Sequence, residues 1–230
     1  PHVLELLRRE TEGNVFFLVE VVRALAEEAG SLKKIGSMSL PDNVLAGGIQ
    51  TIIQRRLERV PESGRPLLQL AAISGRQIDL DVLEAVKGDI DLTEWLTICV
   101  NSAVLDVQDG LYHFAHDKLR EATISNIPLD VRSQLHRQIA VALAAVYPNA
   151  PERATVMAQH WGAAGDLLNE FHFTQAAGDY ALRISALSEA IAHFERCQEL
   201  IPQIITDEAK RRPVQAELYV KLGEALQYTG

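Results

Sequence analysis

A short strand runs directly into a helix at Leu111-Tyr-His-Phe-Ala-His-Asp-Lys-Leu-Arg-Glu-Ala122. The residues before this stretch include Asp109-Gly110, a pair that is strongly preferred in the tight turn of a β-hairpin. The turn is flanked by two short apolar segments, which predict strands over Val104–Val107 and Leu111–Ala115. The sequence therefore predicts a β-hairpin whose second strand leads at once into a helix.

Two polar residues, His116 and Asp117, lie at the junction between this hairpin and the helix. Asp117 suits the N-cap of a helix ending near Asn126, because its carboxylate accepts hydrogen bonds from the free N–H groups of the first turn. In the simplest interpretation, His116 finishes the strand and Asp117 caps the helix. In the alternative, the His116 imidazole recognises a ligand through its ring N–H.

Three short helices are predicted before the hairpin. The first, over Leu67–Ile73, is closed by Gly75, and the second, over Leu80–Val86, is closed by Gly88. A third begins after Asp91, and Glu94 three residues later completes a capping-box-like pattern. Three helices followed by a hairpin are typical of a winged-helix domain, which we place at residues 61–128.

The first part of the chain, residues 1–60, is predicted to be helical. Val15, Leu18, Val22 and Leu25 have the three- and four-residue spacing of an amphipathic helix. A later helix begins near Pro41 and runs to about residue 59. The first residues of the chain already have a helical pattern, and we therefore expect a longer protein.

The last part of the chain, residues 129–230, is predicted to be helical throughout. The spacing of Gly178, Ala190, Phe194 and Pro202 matches the small, small, large and proline positions of a tetratricopeptide repeat. A second copy begins at Tyr219, Leu222 and Gly223, so we expect further repeats to follow. We also predict that Leu218, Leu222 and Leu226 lie exposed on the last helix. The predicted fold class is mostly α, ending in an α-solenoid.

Composition limits the classes of partner. The 230 residues include 22 basic and 31 acidic side chains, a net charge of -9, which argues against a nucleic-acid surface or an anionic membrane. No uncharged apolar run approaches the ~18 residues of a membrane span. The two cysteines lie in apolar helical patterns, which predicts a reducing, cytoplasmic location without disulfides.

In this order the parts resemble the C-terminal half of the nucleotide-binding core of STAND signalling ATPases, a class of AAA+-related regulators. Gly13-Asn14-Val15-Phe16-Phe17-Leu18 resembles the family's lid segment Gly-Asn-Pro-Phe-Phe-Leu, except that Val15 replaces the proline. Leu40-Pro41-Asp42 and Arg55-Arg56-Leu57 resemble the later lid helix, and Phe114-Ala115-His116-Asp117 resembles the winged-helix histidine motif. By this resemblance, residues 1–60 are a helical lid.

The resemblance implies a nucleotide-dependent switch. The full-length protein is expected to hold ATP or ADP with magnesium in an ATPase domain upstream of this fragment, which itself binds no cofactor. His116 approaches the ADP diphosphate and holds the resting state closed, and Asn14 and Val15 complete the nucleotide-sensing residues. A protein partner is expected on the helical repeats, with oligomerisation on activation.

Patterns typical of catalysis are missing from the sequence. It has no Gly-x-x-x-x-Gly-Lys-Ser/Thr loop, no Gly-x-Ser-x-Gly elbow and no His-Glu-x-x-His pair, so we predict neither an enzyme nor a catalytic residue in this fragment. His113 and His116 are spaced three apart, but alternation along a strand would point them to opposite faces, and we predict no metal site.

Two other functions stay open from the sequence alone. The first is a tetratricopeptide-like interaction scaffold without nucleotide dependence. The second is a DNA-binding winged helix, since the third helix of such a module can enter the major groove. Residues 89–108, which cover that helix and the first strand, contain no lysine or arginine, which disfavours contact with phosphates.

Overall fold

The computed structural model describes residues 48–227 of the chain, and this part is mostly helical, with one small antiparallel sheet. The ten α-helices of this part are α1 (Gly48–Glu58), α2 (Arg65–Ser74), α3 (Leu80–Val86), α4 (Leu92–Asn101), α5 (Asp117–Ser125), α6 (Leu129–Val146), α7 (Ala154–Ala163), α8 (Leu167–Arg183), α9 (Leu187–Ile204) and α10 (Glu208–Gln227). The two strands are β1 (Leu105–Gln108) and β2 (Leu111–Phe114). The predicted mostly helical class is confirmed.

The described residues form two compact units. One contains the described residues up to Leu68 together with Gly75–Ile78 and Ile90–Asn126. The other contains Gln69–Ser74, Asp79–Asp89 and the described residues from Ile127 onward. The predicted division into residues 1–60, 61–128 and 129–230 stays a prediction.

Helix starts and ends in this region follow the polar and glycine residues of the sequence. Asp79 and Asp91 are the N-caps of α3 and α4, and their carboxylates accept from the backbone N–H of Val82 and Glu94 at 3.2 and 3.0 Å. Gly75 and Gly88, beyond the ends of α2 and α3, have positive φ angles of 154° and 60°. A left-handed backbone disfavours side chains, so glycine suits these helix ends.

The hairpin forms as predicted. Leu105 pairs with Phe114 and Gln108 with Leu111, and the connecting Asp109 and Gly110 have φ angles of 53° and 77°. Two left-handed residues in the turn give the twist that matches the flanking strands. The residues after α2 extend this sheet, because Gln77 forms an isolated antiparallel bridge with His113.

A buried apolar core supports the hairpin unit. Trp95 is 3% exposed, and its indole N–H donates to the Gly64 carbonyl at 2.9 Å. A Cβ on Gly64 would lie 2.9 Å from the Trp95 ring, so the glycine allows this approach. Phe114 from β2 and Leu119 from α5 are almost fully buried in the same unit. The core therefore holds both sides of the strand-to-helix junction.

In the second unit, successive helices pack on one another from α6 to α10, and α3 also packs on α6. The repeat-like residues lie in this stack. A Cβ on Gly178 of α8 would lie 2.6 Å from the Phe194 ring of α9, and Phe194 and Ala190 are fully buried. Small residues thus let α8 and α9 approach, while the large ring fills the space between them.

The prediction that Leu218 is exposed is wrong. Leu218 and Ala225 of α10 are fully buried in a cluster with Phe194, Cys197 and Ile201 of α9. Leu222 is half-buried against the same cluster, whereas Leu226 is 51% exposed. Ala225 lies seven residues, about two helical turns, after Leu218 and therefore shares the face that packs on α9. Leu226 lies one position, about 100°, further round the helix and is half exposed.

None of the helices in residues 48–227 combines the length and apolar character that a transmembrane span requires. The lid segment with Asn14 and Val15 lies outside the described residues.

Candidate functional site

His116 is the N-cap of α5. Its backbone is extended, with φ −154° and ψ 146°, and its ring Nδ1 accepts a hydrogen bond from the backbone N–H of Lys118 at 3.1 Å. The prediction that Asp117 caps this helix is wrong, since Asp117 is its first helical residue. The His116 imidazole accepts one of the N–H groups in the first turn of α5, which is the role that the Asp117 carboxylate was expected to play.

This capping bond determines the tautomer of the neutral His116 ring. A ring nitrogen that accepts a hydrogen bond carries no proton, so the proton of the neutral imidazole lies on Nε2. The ring is half-buried rather than enclosed. In this tautomer the ring N–H lies on Nε2, and an imidazole N–H is chemically able to donate to an anionic oxygen.

The backbone around His116 is held by bonds to neighbouring segments of the hairpin unit. The Phe114 N–H donates to the Arg76 carbonyl and the Ala115 N–H to the Val104 carbonyl, both at 3.0 Å. Phe114 and Leu119, two and three residues from His116, are almost fully buried. The imidazole is thus placed by a rigid strand end and a rigid helix start.

Charged side chains beside His116 are arranged in pairs. The guanidinium of Arg76 lies 3.4 Å from the Asp117 carboxylate, and Lys118 Nζ lies 2.6 Å from Glu121. Both pairs are more than half exposed on at least one side, so each contributes little to stability. Their role near the imidazole is to balance the negative charge of Asp117 and Glu121.

His113 takes a different environment from His116. It lies on β2 opposite Asp106, and its ring Nδ1 is 3.1 Å from the Leu111 carbonyl oxygen. Within residues 48–227, no group of three or more His, Cys, Asp or Glu side chains is placed to hold a metal ion. His113 is therefore explained by its place in the strand.

We expect His116→Ala to destabilise the hairpin unit by about 1 kcal/mol, the usual cost of losing an N-cap acceptor. His116→Asn should retain wild-type stability, because its side-chain oxygen can replace Nδ1 as the acceptor. Urea unfolding of both variants measures the difference. Equal stability of the alanine and asparagine variants would contradict the capping role.

A second histidine arrangement, in the helical stack, was not predicted from the sequence. Nδ1 of His136 on α6 lies 3.0 Å from Nδ1 of His160 on α7. One ring must donate this hydrogen bond and the other accept it, so both rings cannot be charged while it persists. His160 is only 6% exposed, and burial followed by the charge of His136 lowers the pKa of His160 to about 4. Burial and the charge of Arg132 also lower the pKa of His136.

This pair predicts a pH dependence of stability. The pKa of His160 is lower in the folded state than in the unfolded state. The stabilisation that neutral His160 gives the folded state is therefore complete above pH 6.5 and is lost as the pH falls toward 4. Between pH 8 and pH 5 the loss should be about 2 kcal/mol. Urea unfolding at both pH values tests this.

The matched control is His160→Asn, which keeps a polar group near Nδ1 but does not titrate. The pH-dependent loss should be smaller in this variant than in the wild type. A loss of equal size would show that other groups, such as carboxylates, cause the acid sensitivity.

A buried carboxylate is another feature that the sequence pattern did not indicate. Glu170 of α8 is 7% exposed, and Nε and Nη2 of Arg196 on α9 donate to the same Glu170 oxygen at 2.9 and 2.8 Å. Gly162 of α7 makes room, because a Cβ there would lie 2.9 Å from the Glu170 carboxyl carbon. Replacing either Glu170 or Arg196 would leave the other charge without its partner and would destabilise the fold. We therefore interpret this ion pair as structural.

Comparison with protein-family models, with curated proteins and with solved structures gave no match for this chain.

Proposed function

We propose that this chain is the regulatory part of a nucleotide-dependent signal-transduction ATPase of the STAND type. The observation that carries the proposal is the His116 geometry. Its Nδ1 accepts a hydrogen bond from the Lys118 backbone N–H, which places the N–H of the neutral ring on Nε2, and an imidazole N–H can donate to a diphosphate oxygen. A charge-assisted bond of this kind is stronger than one between neutral groups.

The order of elements supports a winged helix around His116. Helices α2, α3 and α4 are followed by the β1–β2 hairpin, and Gln77 adds a one-residue bridge on the β2 side. On this proposal the hairpin unit changes position with the nucleotide state, and His116 links that position to the nucleotide. The chemistry of an imidazole N–H fits a phosphate oxygen, and Asn14 and Val15 of the lid would contact the same nucleotide.

The helical stack supports the sensor part of the proposal. Gly178, Ala190 and Phe194 pack as the small and large positions of a tetratricopeptide-like pair would. We propose that this array receives a protein partner in the cytoplasm and that its signal reaches the hairpin unit. ATP or ADP with magnesium would be held by an ATPase domain upstream, and activation would include oligomerisation.

The experiment that tests this proposal is ADP release from the longer protein that contains this chain. His116→Asn retains the cap but lacks a donor at the position of Nε2, and it should release ADP faster than the wild type. His116→Gln offers an amide N–H near that position and should release ADP more slowly than the asparagine variant.

A protein-interaction scaffold without nucleotide dependence is the second candidate. The Gly178–Phe194 packing supports this function equally, because it needs no nucleotide. The two candidates differ in one result. A scaffold predicts that no His116 variant changes nucleotide binding, and that the variants change only stability.

Direct binding of duplex DNA is not expected. Asp91, Glu94 and Asp106 are exposed on α4 and β1, where a winged helix would meet the phosphates. Fluorescence anisotropy with labelled duplexes at moderate salt should show no sequence-dependent binding. Submicromolar affinity that discriminates between sequences would instead favour a transcription regulator.

A further inference from the structure

A cavity of about 490 Å³ lies in the helical stack, between the end of α6, the turn at Pro151–Arg153, α7 and the middle of α8. Its size is within the range of small-molecule sites. Alanines from several of these elements leave the space open, including Ala144, Ala154 and Ala176. Met157 lines it and is only 3% exposed. The cavity is therefore a hollow with a buried apolar side.

Two aromatic rings form walls of this cavity. Phe173 packs edge-on against His172, with ring centroids 5.0 Å apart. Tyr147 is held by two partners, because its hydroxyl donates to the Asp79 carboxylate and the Arg153 guanidinium stacks 3.8 Å from its ring centroid. Arg153 also donates to Asp79 at 3.0 Å. The Tyr147 wall is thus fixed before any ligand arrives, which lowers the entropic cost of binding.

The charge of the lining is of one sign. Arg183 is the only formally charged side chain among the residues that line the cavity, and it is exposed at the rim. No Asp or Glu lines the cavity, although the whole chain carries a net charge of -9. Flat apolar walls with one guanidinium at the rim complement a ring system that carries a single acidic group.

We propose that this cavity is a binding site for an aromatic organic acid. The ring system lies between Tyr147 and Phe173 above Met157, and the acidic group pairs with Arg183. The proposal does not depend on the nucleotide switch at His116, and either can fail without the other. It adds a small-molecule input to a helical array for which the sequence pattern predicts only a protein partner.

Two fluorescent probes with the same rings test the proposal. 8-Anilinonaphthalene-1-sulfonate carries an acidic group, and N-phenyl-1-naphthylamine lacks it. Both should bind the 230-residue chain under native conditions, the sulfonate more tightly. 2-Naphthoate should displace the sulfonate probe, whereas the corresponding amine, 2-naphthylmethylamine, should not. Failure of the sulfonate probe to bind the folded chain would overturn the proposal.

Three variants locate the site. Arg183→Gln should weaken the sulfonate probe by about three- to tenfold, since solvent screens an exposed guanidinium, and should leave the uncharged probe unchanged. Ala176→Phe fills the cavity and should reduce binding of both probes. Arg212→Gln on α10 removes another exposed arginine, which does not line the cavity, and should change neither probe. If Arg183→Gln and Arg212→Gln have the same effect, the probes bind elsewhere and the proposal is wrong.

Discussion

Gly178→Ala should lower the free energy of unfolding by about 2 kcal/mol, while Gly223→Ala should raise it by up to about 1 kcal/mol. A Cβ at Gly178 would meet three atoms of the Phe194 ring at 2.6–2.9 Å. A Cβ at Gly223 would meet nothing within 4 Å. Both glycines lie inside helices, so both variants gain the same helix propensity. They differ only in the overlap with Phe194.

Urea unfolding of the two variants measures this difference, which should be about 3 kcal/mol. A double variant checks the cause. Phe194→Leu shortens the opposing side chain, so Gly178→Ala should cost less in the Phe194→Leu background than in the wild type. Equal costs in both backgrounds would show that the ring is not what excludes the methyl group.

The local features of this fold could be predicted from the sequence because each depends on neighbouring residues. Asp109-Gly110 predicted the hairpin turn, and both residues have the left-handed backbone that the turn requires. Gly75 and Gly88 predicted two helix ends for the same reason. The spacing of a repeat pattern singled out Gly178 and Phe194, and the structure packs the Gly178 backbone against the Phe194 ring.

The features that the sequence did not predict depend on how helices pack. Leu218 was expected to be exposed because it was assigned to the face of α10 that packs on a following helix, yet it is fully buried in the cluster with α9. The bond between His136 and His160 forms only when α6 and α7 pack side by side, and no spacing indicates it. At the strand-to-helix junction, the predicted N-cap was wrong by one residue. Asp117 was predicted because aspartate is the commoner N-cap, whereas the imidazole of His116 takes that role.

The largest functional effect is expected at His116. A hydrogen bond to a charged group contributes about 1.5 to 3 kcal/mol. On our proposal this bond exists only in the closed, ADP-bound state, so its loss shifts the closed and open populations by roughly ten- to a hundredfold toward the open state. A His116 variant that lacks this bond should signal without its stimulus and should release ADP faster than the wild type.

The asparagine and glutamine variants of His116 separate the contact with ADP from helix capping, since the two ring nitrogens have different hydrogen-bond partners on our proposal. Asparagine can replace Nδ1, which accepts from the Lys118 N–H, but it cannot reach the position of Nε2. Glutamine can offer an N–H near the position of Nε2 but is a poorer cap. A purely structural His116 predicts a lower melting temperature for glutamine and no change in nucleotide release for either variant.

The most direct test of the proposed switch is therefore the ADP release rate of this chain joined to the proposed upstream ATPase domain and carrying His116→Asn, measured with its melting temperature on the same preparation. We predict release at least about tenfold faster than in the wild type, at an unchanged melting temperature. ADP release at the wild-type rate from a stably folded His116→Asn variant would contradict the proposal.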